Sequence, residues 1–373
     1  MSHIYIHIPF CHSKCYYCDF YSVATNEAQQ EFVKAIIEEI KLRKDEILGP
    51  FKTIYFGGGT PTILSDESLE RIFENLYKYY SISSDAEITI EANPEDISAK
   101  KSSFLKQIGV NRISLGVQSL SDKELKYLGR KHDAKQAICA LETLSKAKFD
   151  NISVDFIHGI PNSDLSSFSK SIELVKNIGV KHLSMYSLTV EKGTILCKRI
   201  EKGITANIDE NQQAEEYILA IEIAEKNGFK QYEISNFSVP EFESKHNSAY
   251  WKGSPYLGFG PSANSFNGEI RKWNIANIQK YIAGIAEQKP IFESETLSEI
   301  DKHNEFLLTR LRMNKGIQIS EMKNLFGINA VNDLKNFLHA NSLSKNFNIS
   351  DESISLTRGG MLFADKLISD LMK

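Results

Sequence analysis

The chain has 373 residues, 44 basic against 48 acidic side chains, a formal charge of −4 and 42% hydrophobic residues. That length supports a sizeable core, either as two or three domains or as one large α/β barrel with an appendage. No block of basic residues occurs, which argues against nucleic-acid binding by bulk electrostatics. With no leader-like start and no long apolar run, the expectation is a soluble cytoplasmic protein, not an integral membrane one.

The first apolar run, IYIHIPF (4–10), leads straight into Cys11, Cys15 and Cys18, three of only 5 cysteines in the chain. A helix follows: Phe32, Val33, Ile36, Ile37 and Ile40 form one stripe between Asn26 and Leu48, and Gly49-Pro50 stops it. Five more β-rich runs come next, KTIYF, AEITIEAN, NRISLGVQ, NISVDFIHGIP and KHLSMYSLTV, with helical spacing between them. Such alternation predicts βα units with parallel strands, as an open doubly wound sheet or as a partial barrel. Polar or glycine residues end nearly every strand: Cys11, Gly57-Gly58-Gly59, Glu91, Gln118 and Asp155. This favours the (β/α)6 partial barrel, since barrels assemble their sites at that rim and a single sheet at one crossover. Cys139, in the helical stretch AKQAICALETL, and Cys197 read as packing residues.

After Phe229 the rhythm changes to a loop-rich, aromatic segment reaching about Pro290. From about Ile291 a helical module follows, with a short strand, Gly359-Gly360 and a last helix, similar to a winged helix. Its second helix, VNDLKNFLHAN, is not basic, so the module reads as structural. The expected division is 1–228, 229–290 and 291–373.

Clustered thiols in such a chain point to metal or redox chemistry, not to a disulfide framework. Zinc wants four ligands, commonly from two knuckles; here there is one run, and His12 directly follows Cys11, badly placed to close a tetrahedron. A thioredoxin-like pair leaves Cys11 unexplained. Three thiolates on one loop suit a 4Fe–4S cubane with its fourth iron open. At this point the run, with Tyr17 before the last cysteine, resembles the signature of the radical S-adenosylmethionine (SAM) superfamily.

That resemblance implies SAM chelating the open iron, and an electron from the cluster breaking the sulfonium bond to release a deoxyadenosyl radical. It implies roles for the rim. In FGGGTPT, the glycines, Gly58 and Gly59 among them, let main chain approach the methionyl amine, with Thr60 beside them; without a following GK[ST] this is no phosphate loop. Glu91 accepts from the ammonium group, while Gln118, Arg130 and Asp155 hold ribose and carboxylate, with Tyr5 and Tyr17 beside the cofactor. GFGPSA (258–263) matches a dinucleotide fingerprint weakly and reads as a plain turn or as a turn lining adenine.

YIHIPFC, GGGTPT, IEANPE, GVQS, GRKH and DFIHGIP resemble the HemN-type branch, which contains coproporphyrinogen III dehydrogenases and heme chaperones. Asp19-Phe20 stand where the dehydrogenase has a further cysteine two places on, and only MSHI precedes Tyr5 where that enzyme has an extension. HNSAYW (246–251) matches the H-N-x-x-Y-W motif of the chaperones. The resemblance therefore implies a heme chaperone with cluster, SAM and heme, His246 ligating the heme iron from a loop beside Tyr250 and Trp251. It further implies heme-accepting proteins, an electron donor and a homodimer as partners. Whether the chain is an enzyme stays open, with coproporphyrinogen dehydrogenase activity as the alternative function.

Overall fold

A computed structural model describes residues 1–25 and 27–373, and their side chains except that of Leu165. Asn26, the expected start of the first helix, lies outside the described residues.

The six apolar runs are strands: β1 (Ser2–Ile8), β2 (Phe51–Gly58), β3 (Ile82–Ala92), β4 (Arg112–Gln118), β5 (Asn151–His158) and β6 (His182–Ser187). They pair in parallel and in sequence order. The crossovers carry α1 (Gln29–Leu42), α2 (Asp66–Tyr79), α3 (Ala99–Gln107), then α4 (Asp122–Leu128) with α5 (Ala134–Lys146), and α6 (Leu165–Ile178). A doubly wound sheet reverses its strand order part-way; these six strands do not. The edges stay apart, so the barrel is partial. After α7 (Ile195–Glu201) and α8 (Glu210–Lys226), β7 (Lys230–Gln231) and β8 (Asn236–Ser238) extend the β6 side. A short helix, α9 (Lys245–Trp251), precedes β9 (Tyr256–Phe259), which runs parallel to β1. Then β10 (Asn264–Phe266), β11 (Ile270–Asn274) and β12 (Phe292–Thr296) continue the same sheet.

Strand alternation sorts the two faces. Ile4, Ile6 and Ile8 are fully buried outward, in one core with Phe32, Val33, Ile36 and Ile40 of α1. The other face is polar and bonds to itself across neighbouring strands: His3 Nδ1 to Thr53 Oγ1 (3.0 Å), Ser114 to Asp155 (3.2 Å) and Ser153 to His182 (2.7 Å). Arg112 is among the largest fully enclosed side chains. The lumen is thus a polar column under the rim.

Two expectations need correcting. Helix α1 stops at Leu42, six residues before the expected end. There Arg43 turns inward, donating to Glu39 (2.9 Å), Glu46 (2.9 Å) and the carbonyl of Gly258 (2.7 Å). Cys139 is exposed: Ala137, Ala140, Leu141 and Leu144 face the core from α5 and leave position 139 on the outer side.

Helix α10 (Ile278–Ala286) packs back on α1, with Tyr281 Oη donating to Glu39 (2.7 Å). The C-terminal part holds α11 (Glu299–Leu311), β13 (Ile317–Gln318) and α12 (Ile319–Ala340), which breaks at Gly327 (φ 84°, ψ 168°). β14 (Phe347–Ile349) and β15 (Ser353–Leu356) complete a three-stranded sheet with β13, and α13 (Arg358–Met361) and α14 (Ala364–Leu371) end the chain. Gly359-Gly360 lie inside α13. Among the described residues no helix is long and apolar enough to cross a membrane.

Candidate functional site

The three cysteines occupy a loop tied down by main chain. Val23 N–H donates to Pro9 (2.7 Å), Cys11 N–H to Val23 (3.0 Å) and Tyr16 N–H to Leu128 (3.0 Å). From the next strand end, Gly59 N–H donates to Ile8 and Thr60 N–H to Phe10, both at 2.7 Å. A side chain is impossible here without movement, since a Cβ on Gly59 would lie 2.4 Å from the Phe10 carbonyl. Gly58 has φ +107°, a left-handed value that suits glycine. All three thiols are partly exposed and line one cavity of about 1140 Å³. Burial pushes the Cys11 thiol up and the Cys18 thiol to about 11. Arg130 Nη1 contacts Cys15 Sγ at 3.3 Å. His12 turns away, its Nε2 2.8 Å from Asp96.

Around the same cavity stand Tyr17, Gly58, Gly59, Thr60, Glu91, Gln118, Arg130 and Asp155. The strand ends bring most of them there, with Tyr17 coming from the thiol loop and Arg130 from the turn after α4. Glu91 accepts from Tyr55 Oη (2.7 Å) and from the N–H of Gly58 (3.2 Å). Burial pushes its carboxyl up to about 7 despite those donors. Burial also raises Asp155. Gln118 has φ 67° just past a register shift in the β4–β5 pairing. Arg130 Nη2 donates to Asn93 Oδ1 (2.6 Å) and to the carbonyl of Gly116 (2.7 Å), while its Nε is enclosed with no partner among the described residues.

Three segments that the sequence brought forward lie outside this cavity. Tyr5 does not line it; its hydroxyl bonds His7 Nδ1 at 3.1 Å, deeper in the lumen. The GFGPSA turn does not line it either: Glu39 accepts from Gly260 N–H (2.8 Å) and Arg43 holds the Gly258 carbonyl, which makes it a structural turn. His246 is not in a loop. It opens α9, is 1% exposed, and has both ring nitrogens engaged, Nδ1 with Thr53 Oγ1 (2.5 Å) and Nε2 with Tyr250 Oη (2.9 Å). A sealed imidazole without a free nitrogen does not fit a heme iron.

Comparison with known proteins decides the family. The radical SAM superfamily model matches residues 5–175, and the HemN C-terminal domain model matches residues 297–363. Two curated relatives named heme chaperone HemW are each 36% identical: one from Lactococcus lactis, over 86% of this chain and 84% of its own, and one from Bacillus subtilis, over 88% and 87%. This chain belongs to the HemN-type branch of the radical SAM superfamily. A solved structure, the coproporphyrinogen III oxidase HemN of Escherichia coli, described as a radical SAM enzyme, superposes with TM-score 0.84 at 22% identity, covering 100% of this chain and 90% of that one. At that identity the likeness speaks for the fold.

Membership of that superfamily implies a 4Fe–4S cluster and SAM, and three partly exposed thiols on one cavity, with the enclosed, unpartnered Nε of Arg130 beside them, suit such a set. Among the described residues no group of three His, Cys, Asp or Glu side chains is placed to hold a single ion. Sequence reasoning missed Asn93, Tyr55 and Ser114. Asn93 bridges Thr60 Oγ1 (3.0 Å) and Arg130, which ties the glycine loop to the arginine. Its place in IEANPE, two residues past Glu91, was the available signal. Tyr55 and Ser114 face the lumen two or more places below their strand ends, where the sequence shows only ordinary strand residues.

Proposed function

We propose that this chain is a cytoplasmic heme chaperone that holds a 4Fe–4S cluster on Cys11, Cys15 and Cys18, binds SAM across the barrel rim, carries heme and passes it to an acceptor protein. The observation that carries this reading is the gathering of three partly exposed thiols and the Glu91 carboxylate on one cavity, in a chain whose 36%-identical relatives are named heme chaperones. The cluster, when bound, supplies a single electron to the sulfonium, delivered by a redox partner.

The chain's own residues bind and orient. Glu91 accepts from the methionyl ammonium, with Gly58 and Gly59 allowing main chain to come close. Gln118, Arg130 and Asp155 hold ribose and carboxylate, beside Thr60 and Tyr17. Heme has room toward the outer cavity, where Phe20 and Phe363 stand 71% and 58% exposed beside Tyr186 and Met361.

The test is anaerobic cluster reconstitution, followed by heme and coproporphyrinogen III offered separately. Stoichiometric heme binding, transfer to an apo-acceptor and no vinyl product support the chaperone. Catalytic formation of vinyl groups overturns it in favour of a dehydrogenase.

A further inference from the structure

The His246 niche, unfit for heme iron, is well built for something else. On β2, Thr53 and Tyr55 point into the lumen, and His246 lies against both. Its ring stacks on Tyr55 with centroids 5.0 Å apart and planes 25° apart, and its Nδ1 meets Thr53 Oγ1, which also bonds His3. Tyr250, one helical turn on, crosses the imidazole edge-on at 4.8 Å. The helix start is pinned to β3, where Glu87 accepts the N–H groups of Lys245 and His246, both at 3.1 Å. Glu87 and Glu91 share one face of β3, about 13 Å apart at strand rise. Tyr55 closes the column at its upper end, since its hydroxyl is the donor to Glu91 Oε1.

We infer that His246 is a positioning residue of the SAM site: α9 plugs the barrel floor, and His246 clamps Tyr55 so that its hydroxyl fixes the Glu91 carboxylate. This rests on the proposal that Glu91 receives the methionyl ammonium. Rotating or lowering Tyr55 releases Oε1, and a carboxylate held by the Gly58 N–H alone has rotational freedom it must lose when the ligand binds. Burial keeps the imidazole neutral, so it acts as a hydrogen-bonding aromatic plate and not as a charge.

The experiment uses the full chain with its cluster reconstituted anaerobically, in wild type, His246→Gln, Tyr55→Phe, the double variant and Glu91→Gln. Affinities are measured for SAM and for 5′-methylthioadenosine, which keeps the nucleoside but lacks the ammonium, and heme is titrated by absorbance. His246→Gln is expected to weaken SAM about three- to tenfold, the loss of roughly one hydrogen bond. 5′-Methylthioadenosine should stay within about twofold and the heme spectrum should not change. Tyr55→Phe should show the same selectivity, and the double variant less than the sum. Loss of a His-bound heme spectrum in His246→Gln with SAM affinity intact overturns the inference. So does equal loss of both nucleosides, which marks simple loosening. If Glu91→Gln is selective and His246→Gln is not, only the inference falls; if Glu91→Gln is not selective, the ammonium reading falls with it.

Discussion

At the residue scale, the cysteines carry the sharpest expectation. Cys15 stands between Cys11 and Cys18 on the thiol loop, partly exposed and beside the Arg130 guanidinium. Cys15→Ala should therefore abolish the cluster, read as iron and sulfide per chain, while circular dichroism stays that of a folded α/β protein. Glu91→Gln should cost about 1.5–3 kcal/mol of SAM binding, the worth of a hydrogen bond to a charged group. The pH dependence has a definite sign. With its carboxyl pushed up to about 7, Glu91 in the free protein holds a proton below that pH and must lose it to meet a cation. SAM affinity should therefore fall as pH drops from about 7 to 5.5, with proton release on binding in that range. Calorimetry in buffers of different ionisation enthalpy reads this, and Glu91→Gln should remove it. These residues were legible because each is the end of a strand or a short local spacing. His246 was not: a motif in a string does not tell whether a side chain faces solvent or the lumen, and only the pairing of β2 with α9 seals it.

At the scale of elements, the ends of β1 and β2 are locked by Gly59, whose missing side chain lets two loops share hydrogen bonds at 2.7 Å. Gly59→Ala pushes a methyl into the Phe10 carbonyl, an overpacking of about 1–3 kcal/mol. The expected result is a lower melting temperature together with a reduced iron content after reconstitution, since the thiol loop starts at the next residue. Normal iron content at unchanged melting temperature would mean the loops are not locked this way. The six main strands were readable from apolar runs bounded by polar rim residues. Strands β7 to β12 were not, because pieces such as Asn264–Phe266 are too short to show alternation. The end of α1 was misjudged because a buried arginine, not the following Gly-Pro, decides it.

At the scale of the whole molecule, the polar and glycine residues at the strand ends pointed to a partial barrel over a doubly wound sheet, and the pairing order of the six strands agrees; periodicity by itself does not separate the two. One continuous core joins the barrel strands to Phe306, Leu307, Ile354 and Ile368 of the C-terminal part. Arg310 strengthens the seam by donating to the Trp251 carbonyl (2.5 Å) while pairing with Glu321 (2.6 Å). The cluster-free protein should therefore unfold in a single calorimetric transition whose calorimetric and van't Hoff enthalpies agree. Two resolved transitions would show that the C-terminal part melts by itself.

The outward placement of Cys139 bears on how molecular mass will be judged in the laboratory. An exposed thiol on a helix surface is free to join its counterpart on another molecule once air is admitted. Preparations handled in air will then contain covalent pairs joined at α5, unrelated to any assembly that the barrel or the C-terminal part makes. Sedimentation of Cys139→Ser protein, or of wild type kept under reductant, separates the artefact from a physiological dimer. With the cluster held on the three loop thiols, alkylation with a maleimide should mark this position well ahead of the half-shielded Cys197.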